Sequence, residues 1–272
     1  MVSRRFFIVG LTASILASLG VFPAVFAAAR RYRPKGYTGE GYYRVEGGSI
    51  ELPMPSLDGP VSLEKSLAHR RSIREYTSEP LRLEELSQIL WAAYGVSEVK
   101  HGFKTAPSAG ATYPLNVYAV IYPGGVVTLT GEFIEGGSYI YEPEAHRLTL
   151  VKKGDMSREL YGACLEQEWV LEAKTSIVIT AVYERTTKRY GNRGVRYVLI
   201  EVGHAGQNIY LQATALGLAT VAIGAFYDDS VREIIGAGEA EHPLYVMPLA
   251  GPARKYQIRE EELKAYIERR RR

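Results

Sequence analysis

Cysteine is almost absent from this chain of 272 residues: Cys164 stands alone. That excludes an intramolecular disulfide and any metal centre built on several thiolates. Asparagine is nearly as scarce, occurring only at Asn116, Asn192 and Asn208. Sparing use of a thermolabile residue beside frequent charges suits a thermophilic source. Acidic residues are missing before position 36, where Arg4, Arg5, Arg30, Arg31, Arg33 and Lys35 fall. Those six and Arg269–Arg272 are ten of the 33 cations, so the body between them carries −7 although the whole chain is +3. Such a body lacks the basic footprint that a nucleic-acid partner requires. The closing arginines follow Glu260-Glu261-Glu262, acids before bases, as a helix macrodipole prefers.

What is present is ample apolar material, 46% of residues, enough for one sizeable core. Its first block follows the opening arginines and runs to Ala29, longer than the roughly 20 residues needed to cross a bilayer. A charged start, an apolar middle and the small-residue end Ala27-Ala28-Ala29 also suit an export signal. Ser3-Arg4-Arg5-Phe6-Phe7 resembles the twin-arginine motif. Residues 1–29 are therefore expected to be an export signal or a membrane anchor, with the body on the extracytoplasmic side. Residues 30–60, rich in Gly, Pro and Tyr, read as a linker that becomes an extended arm. Residues 61–272 read as the globular domain.

The domain is organised around residues 196–226, RYVLIEVGHAGQNIYLQATALGLATVAIGAF. Leu199, Val202, Gly206, Ile209, Ala213 and Leu216 recur at steps of three and four, one face of a helix. Most other faces are apolar too, which predicts a helix running through the core. Gly217 supplies a left-handed C-cap. A β-branched run, Thr220–Ile223 in sequence, and the small-residue turn Gly224-Ala225 follow, where backbone can approach a flat ligand or simply pack tightly in the core.

Ahead of this stretch, Ser62 is the expected N-cap of a helix Leu63–His69, and Leu83–Tyr94 is a second helix stopped by Gly95. Strands are expected at 117–122, 126–130, 138–141, 147–151, 176–183 and 244–249. Asp155 is expected to cap a helix reaching about 165, and Asp228 or Asp229 a short one ending at Gly236. Residues 96–115 form a long loop, of the kind that is usually functional or disordered. Residues 185–192 read as a polar loop. Arg70-Arg71-Ser72-Ile73-Arg74 places three guanidinium forks at a helix-to-loop junction, where they could grip phosphate oxygens or simply pair with Glu75 and Glu79.

Five separated segments carry a family likeness: LPMPSLDGPVSLEKSLAHRRSIREY, APSAGATYPLNVYAV, YIYEPEAHRLTLV, QEW and the 196–226 stretch. In that order they resemble the FMN-dependent nitroreductase superfamily, and within it the SagB-type, azoline-oxidase-like branch. The resemblance implies an α+β fold, a mostly antiparallel sheet wrapped by helices around a long core helix, with FMN at a homodimer interface. It implies that Arg70 and Ser72 take the phosphate, with Arg71 in the same cluster, and that Arg74 takes the pyrimidine edge. Pro107, Ser108, Ala109 and Gly110 would lie along one side of the ring. Ile223, Gly224 and Ala225 would offer backbone N–H to flavin N5, and Arg254 or Lys255 would complete the phosphate site. The implied partners are a small-molecule donor and acceptor, NAD(P)H or a quinone among them, and a second copy of the chain.

In the azoline-oxidase branch a Lys-Tyr pair precedes the long helix. Here Tyr190 matches the Tyr, but Arg189 holds the Lys position, beside Lys188. Arginine stays protonated and cannot serve as a base, so either Lys188 acts instead or this loop removes no proton. Two other function classes remain open to the sequence. Glu201-x-x-His204 has the spacing of a di-iron helix, but partner glutamates are not evident and no metal is expected. A non-catalytic FMN-binding protein is the other.

Overall fold

The computed structural model describes residues 45–46 and 48–271. The export signal or anchor expected at 1–29, and residues 30–44 of the arm, lie outside the described residues. From the N-terminal side the elements are β1 (Val45–Glu46), β2 (Ser49–Glu51), α1 (Leu63–His69), β3 (Leu81–Arg82), α2 (Leu83–Tyr94), β4 (Val96–Glu98) and β5 (Phe103–Lys104). Next come β6 (Leu115–Ile121), β7 (Val126–Val127), β8 (Gly137–Glu142), β9 (Arg147–Lys153), α3 (Ser157–Ala163), α4 (Glu168–Glu172) and β10 (Thr175–Ala181). The chain continues through α5 (Glu184–Tyr190), α6 (Arg193–Leu216), β11 (Ala219–Thr220), α7 (Asp228–Ile235), β12 (His242–Ala250) and α8 (Glu260–Arg270).

Eight strands form one sheet in the order β1-β2-β9-β8-β6-β10-β12-β11, every neighbouring pair antiparallel. Side chains alternate across a strand, so β6 feeds two cores. Val117, Ala119 and Ile121 join Ile177, Ile179 and Leu249 beneath α2 and α6. Tyr118, Val120 and Tyr122 join Val178 and Val246 beneath α3 and α7. Central strands with both faces covered read as continuous apolar runs, which is why 117–122 and 176–183 were legible. The arm enters the sheet at its edge, Ile50 pairing with Leu148 and both buried.

Local signals placed the caps. Ser62 accepts from the Lys65 N–H, and Gly217 and Gly236 close α6 and α7 in the left-handed region. The Asp155 carboxylate accepts from Ser157 N–H at 2.9 Å, but it stands one residue before the N-cap of α3, which is Met156, and the helix ends at Ala163. Four further expectations need correction. The strand at 126–130 shrinks to β7, which pairs in parallel with β3 outside the main sheet. Asp228 and Asp229 lie in the first turn of α7, whose N-cap is Tyr227. The polar loop at 185–192 is mostly helix α5, whose Glu184 start and Lys188-Arg189 end match the macrodipole. On α6 the packed face is Val198, Val202, Ala205, Ile209 and Ala213, whereas Leu199 is 50% exposed. Val195 and Ile200 are exposed beside it. The long helix thus packs on the core along one side and shows a bare apolar stripe on the other.

Candidate active site

The arginine segment leaves α1 at Arg70 and is pinned by backbone on both sides. Ile73 N–H donates to Thr220 O at 3.1 Å, Thr77 N–H to Gly251 O at 2.8 Å, and Ala253 N–H to Glu75 O at 2.9 Å. With the main chain fixed, the side chains divide. Arg70 lies over the Tyr210 ring at 5.2 Å and Arg74 over the Trp169 ring at 5.3 Å. Neither guanidinium has a carboxylate or carbonyl partner among the described residues. Arg71 differs: it donates to Ala68 O, Arg70 O and Tyr256 OH, and stacks on the Tyr256 ring at 3.8 Å. Its fork fastens the segment to the chain beyond β12. Ser72 Oγ lies 2.9 Å from Tyr210 OH, which itself accepts from Ala222 N–H at 2.7 Å. The Tyr210 proton is therefore free to point at Ser72.

The turn after β11 meets this segment. Ile223 is buried and exchanges both backbone bonds with Val246. Gly224 and Ala225 are exposed, and their N–H groups have no acceptor among the described residues. A Cβ built on Gly224 would meet nothing within 4 Å. Ala225 O accepts from Gln167 Nε2 at 3.1 Å, two residues before the tryptophan that carries Arg74. Arg254 arrives from the far end of the chain, its Nε 3.7 Å from Glu75 Oε2 with both side chains largely exposed. Lys255 lines a cleft of about 510 Å³ with His69, Ile73 and Gly217. Two unpaired guanidinium groups and two free N–H donors on one surface fit a flat cofactor carrying a phosphate. Of the residues implied for FMN here, Arg70, Ser72, Arg74, Gly224, Ala225 and Arg254 could face such a group, whereas the expected Ile223 N–H is already donated to Val246 O.

The other implied residues gather elsewhere. Ser108 Oγ accepts from Tyr113 N–H at 2.9 Å and opens a 3₁₀ turn, Ala109–Ala111. Gly110 has φ +61°, and its carbonyl accepts from Arg189 Nη1 at 3.1 Å. A Cβ at Gly110 would lie 2.5 Å from Tyr190 OH, so only glycine allows this approach. Pro107 is exposed beside the turn. Tyr190 stands edge-on to Tyr197 at 5.1 Å, and Lys188 is exposed on α5. Behind the turn lies Glu201, 2% exposed, which accepts from Tyr94 OH at 2.5 Å and lies near Ser108. Burial pushes its carboxyl pKa up, against its polar neighbours Tyr94 and Ser108 and the nearby His204 and Lys104 charges. His204 itself is exposed, so the Glu-x-x-His spacing does not build a shared inward-facing site.

One chain keeps the two clusters apart. Glu201 lies near Ser108 and Tyr210 bonds Ser72, nine residues and half a revolution apart on α6. At 1.5 Å and 100° per residue that is about 13 Å along the axis and on opposite faces. Within one chain the Pro107–Gly110 turn and the arginine segment therefore lie against different faces of α6. Tyr210 escaped sequence reasoning, and Gln167, Trp169 and Glu201 stood out there only for family likeness or metal-like spacing, not for the contacts they make here.

The nitroreductase family model matches residues 67–251, from the helix before the arginine segment to the end of the last strand. A curated relative from Methanocaldococcus jannaschii, named for the nitroreductases, is 48% identical over 203 residues, 75% of this chain and 97% of that protein. A crystal structure from Ralstonia eutropha named for the same family superposes with a TM-score of 0.66 at 26% identity, covering 79% of this chain and 95% of that one. A chain of the Escherichia coli microcin synthetase McbBCD complex, solved with truncated pro-MccB17 bound, has a TM-score of 0.60 at 18% identity over 89% of this chain and 94% of that one, a likeness of fold. The matched span contains the arginine segment, the Ser108 turn, α6 and the free N–H groups of the 223–225 turn. With them, this chain belongs to the nitroreductase family, whose members are FMN-dependent oxidoreductases.

Proposed function

We propose that this chain is an FMN oxidoreductase that takes electrons from a donor, releases it, and passes them on the same face to a small organic acceptor. The observation that carries the reading is the shared surface of Arg70, Arg74 and the Gly224 and Ala225 N–H groups, none of which has a hydrogen-bond or ion-pair partner among the described residues. Bound there, FMN supplies the redox chemistry at N5. The protein's share is placement. Arg70 and Ser72 would hold its phosphate, Arg74 would neutralise charge at the pyrimidine edge, and the Gly224 and Ala225 N–H groups would serve as donors to the ring.

A second copy completes the site in this reading. The bare stripe Val195, Leu199 and Ile200 on α6 is suited to self-packing, and such a contact would bring the partner's Ser108 turn towards the flavin. SagB-type membership rests on the five quoted segments. Azoline oxidation is the less favoured activity, because Arg189 stays protonated and its fork is tied to Gly110 O. The twin-arginine reading of Arg4 and Arg5 puts the enzyme outside the cytoplasm, where nicotinamide is scarce and a membrane quinone is the more available exchange partner. Changing both arginines to Lys tests that route by retention in the cytoplasm.

The activity is tested by anaerobic titration of the FMN-loaded chain with NADH, NADPH and a quinol, following loss of the yellow colour. Bleaching by one donor, and recovery on adding a quinone or nitroaromatic, is expected. An FMN-loaded protein that no donor bleaches would overturn the enzyme in favour of a non-catalytic flavoprotein.

A further inference from the structure

Away from the arginine segment, a cleft of about 290 Å³ opens between the start of β6 and the β8–β9 turn, with Lys104 and Arg185 on its walls. Lys104 is held without being well paired. Its side chain is only 10% exposed, and its ammonium lies 4.6 Å from the Tyr94 ring centroid and 5.0 Å from that of Tyr113. Its ion-pair partner, Glu144 at 3.4 Å, is 70% exposed on the turn. A pair with so wet a carboxylate is weak and easily exchanged.

Arg185 has neutral partners only. Its Nη1 donates to Tyr113 O at 3.3 Å and to Asn116 Oδ1 at 3.0 Å, and no carboxylate pairs with it among the described residues. The other acids nearby are engaged. Glu142 is bound by Arg147 and by the Thr149 hydroxyl, and Glu201 is sealed behind Tyr94. An ammonium and a guanidinium thus face one small cleft with a single, displaceable counter-charge.

We infer that this cleft is a binding site for a small organic carboxylate, which bridges Lys104 Nζ and the Arg185 fork and displaces Glu144. A guanidinium matches the two oxygens of a carboxylate. The volume holds roughly nine waters' worth of liquid at about 30 Å³ each, room for a four-carbon acid. Burial pushes the Lys104 pKa down, and the Arg185 charge adds to that push while Glu144 and Glu201 oppose it. A bound anion would offset the Arg185 charge and favour the protonated ammonium.

The test is calorimetry of succinate binding to the FMN-loaded full chain, where the flavin occupies Arg70 and Arg74. Succinamide is the neutral control and inorganic phosphate the rival anion. Saturable succinate binding is expected, weakened at least tenfold by Lys104→Met and by Arg185→Gln. Glu144→Gln removes the competitor and should tighten binding several-fold, an outcome that misfolding cannot imitate. Absence of saturable binding in both wild type and Glu144→Gln would overturn the site. So would unchanged affinity in Lys104→Met, and phosphate binding in preference to succinate would overturn the ligand class.

Discussion

The Tyr94 hydroxyl, at the end of α2, donates to the Glu201 carboxylate in the middle of α6 at 2.5 Å, with both residues buried. The bond joins the two helices over the sheet and backs the turn that carries Ser108. Glu201→Leu should cost about 1–3 kcal/mol, the usual penalty for orphaning a buried hydroxyl. Glu201→Gln keeps the shape without the charge. Because burial raises the folded-state pKa, the carboxyl's contribution is complete below its unfolded pKa, about 4.3, and is lost as pH rises through the folded value. Thermal melts should therefore show the Gln variant gaining on wild type between pH 4 and pH 8. A gap that does not move with pH would mean that Glu201 titrates alike in both states.

Arg70 and Arg74 have free forks, whereas Arg71 is fully engaged. Arg70→Ala with Arg74→Ala should leave a folded, colourless protein. Arg71→Ala should keep its flavin and melt earlier, by about 0.5–1 kcal/mol for the lost stack on Tyr256. Absorbance after gel filtration, with circular dichroism, separates the cases. A double variant that stays yellow would remove this segment from the site.

Tyr190 packs on Tyr197 and touches Gly110, beside an arginine that cannot take a proton. Tyr190→Phe should change turnover by less than about tenfold, roughly 1.4 kcal/mol of barrier. A loss in the range of about 10²–10⁴ would identify its hydroxyl as a general acid or base. Stopped-flow rates for reduction and reoxidation locate the step affected.

His146 is ringed by polar partners: its Nε2 lies 2.8 Å from Ser87 Oγ and 2.9 Å from Pro53 O, and its Nδ1 2.8 Å from Tyr141 OH. Burial, the larger cause, depresses its pKa against the Pro53 hydrogen bond. Stability is thus complete above its unfolded pKa, about 6.5, and is lost as pH falls through the folded value. Denaturant midpoints should fall between pH 7 and pH 5 in wild type, and less steeply in His146→Gln. Parallel slopes would exclude His146 as the cause.

Periodicity and capping chemistry are short-range, so the sequence by itself determined α1, α2, α6, the central strands and the stops at Gly217 and Gly236. It also carried the family, because the arginine segment and the 223–225 turn are contiguous stretches. Helix α5 escaped, since it has no apolar stripe and is held by Thr186 bonding Thr112 and Arg189 bonding Gly110. Only tertiary structure decided which side of α6 is bare, because nearly every face of that helix is apolar and the sheet selects one. Tertiary structure alone set Ser108 near Glu201 and Ser72 against Tyr210, about two and a half turns apart and on opposite faces of one helix. Those contacts join residues 93 and 138 positions apart, a range at which no local pattern specifies a partner.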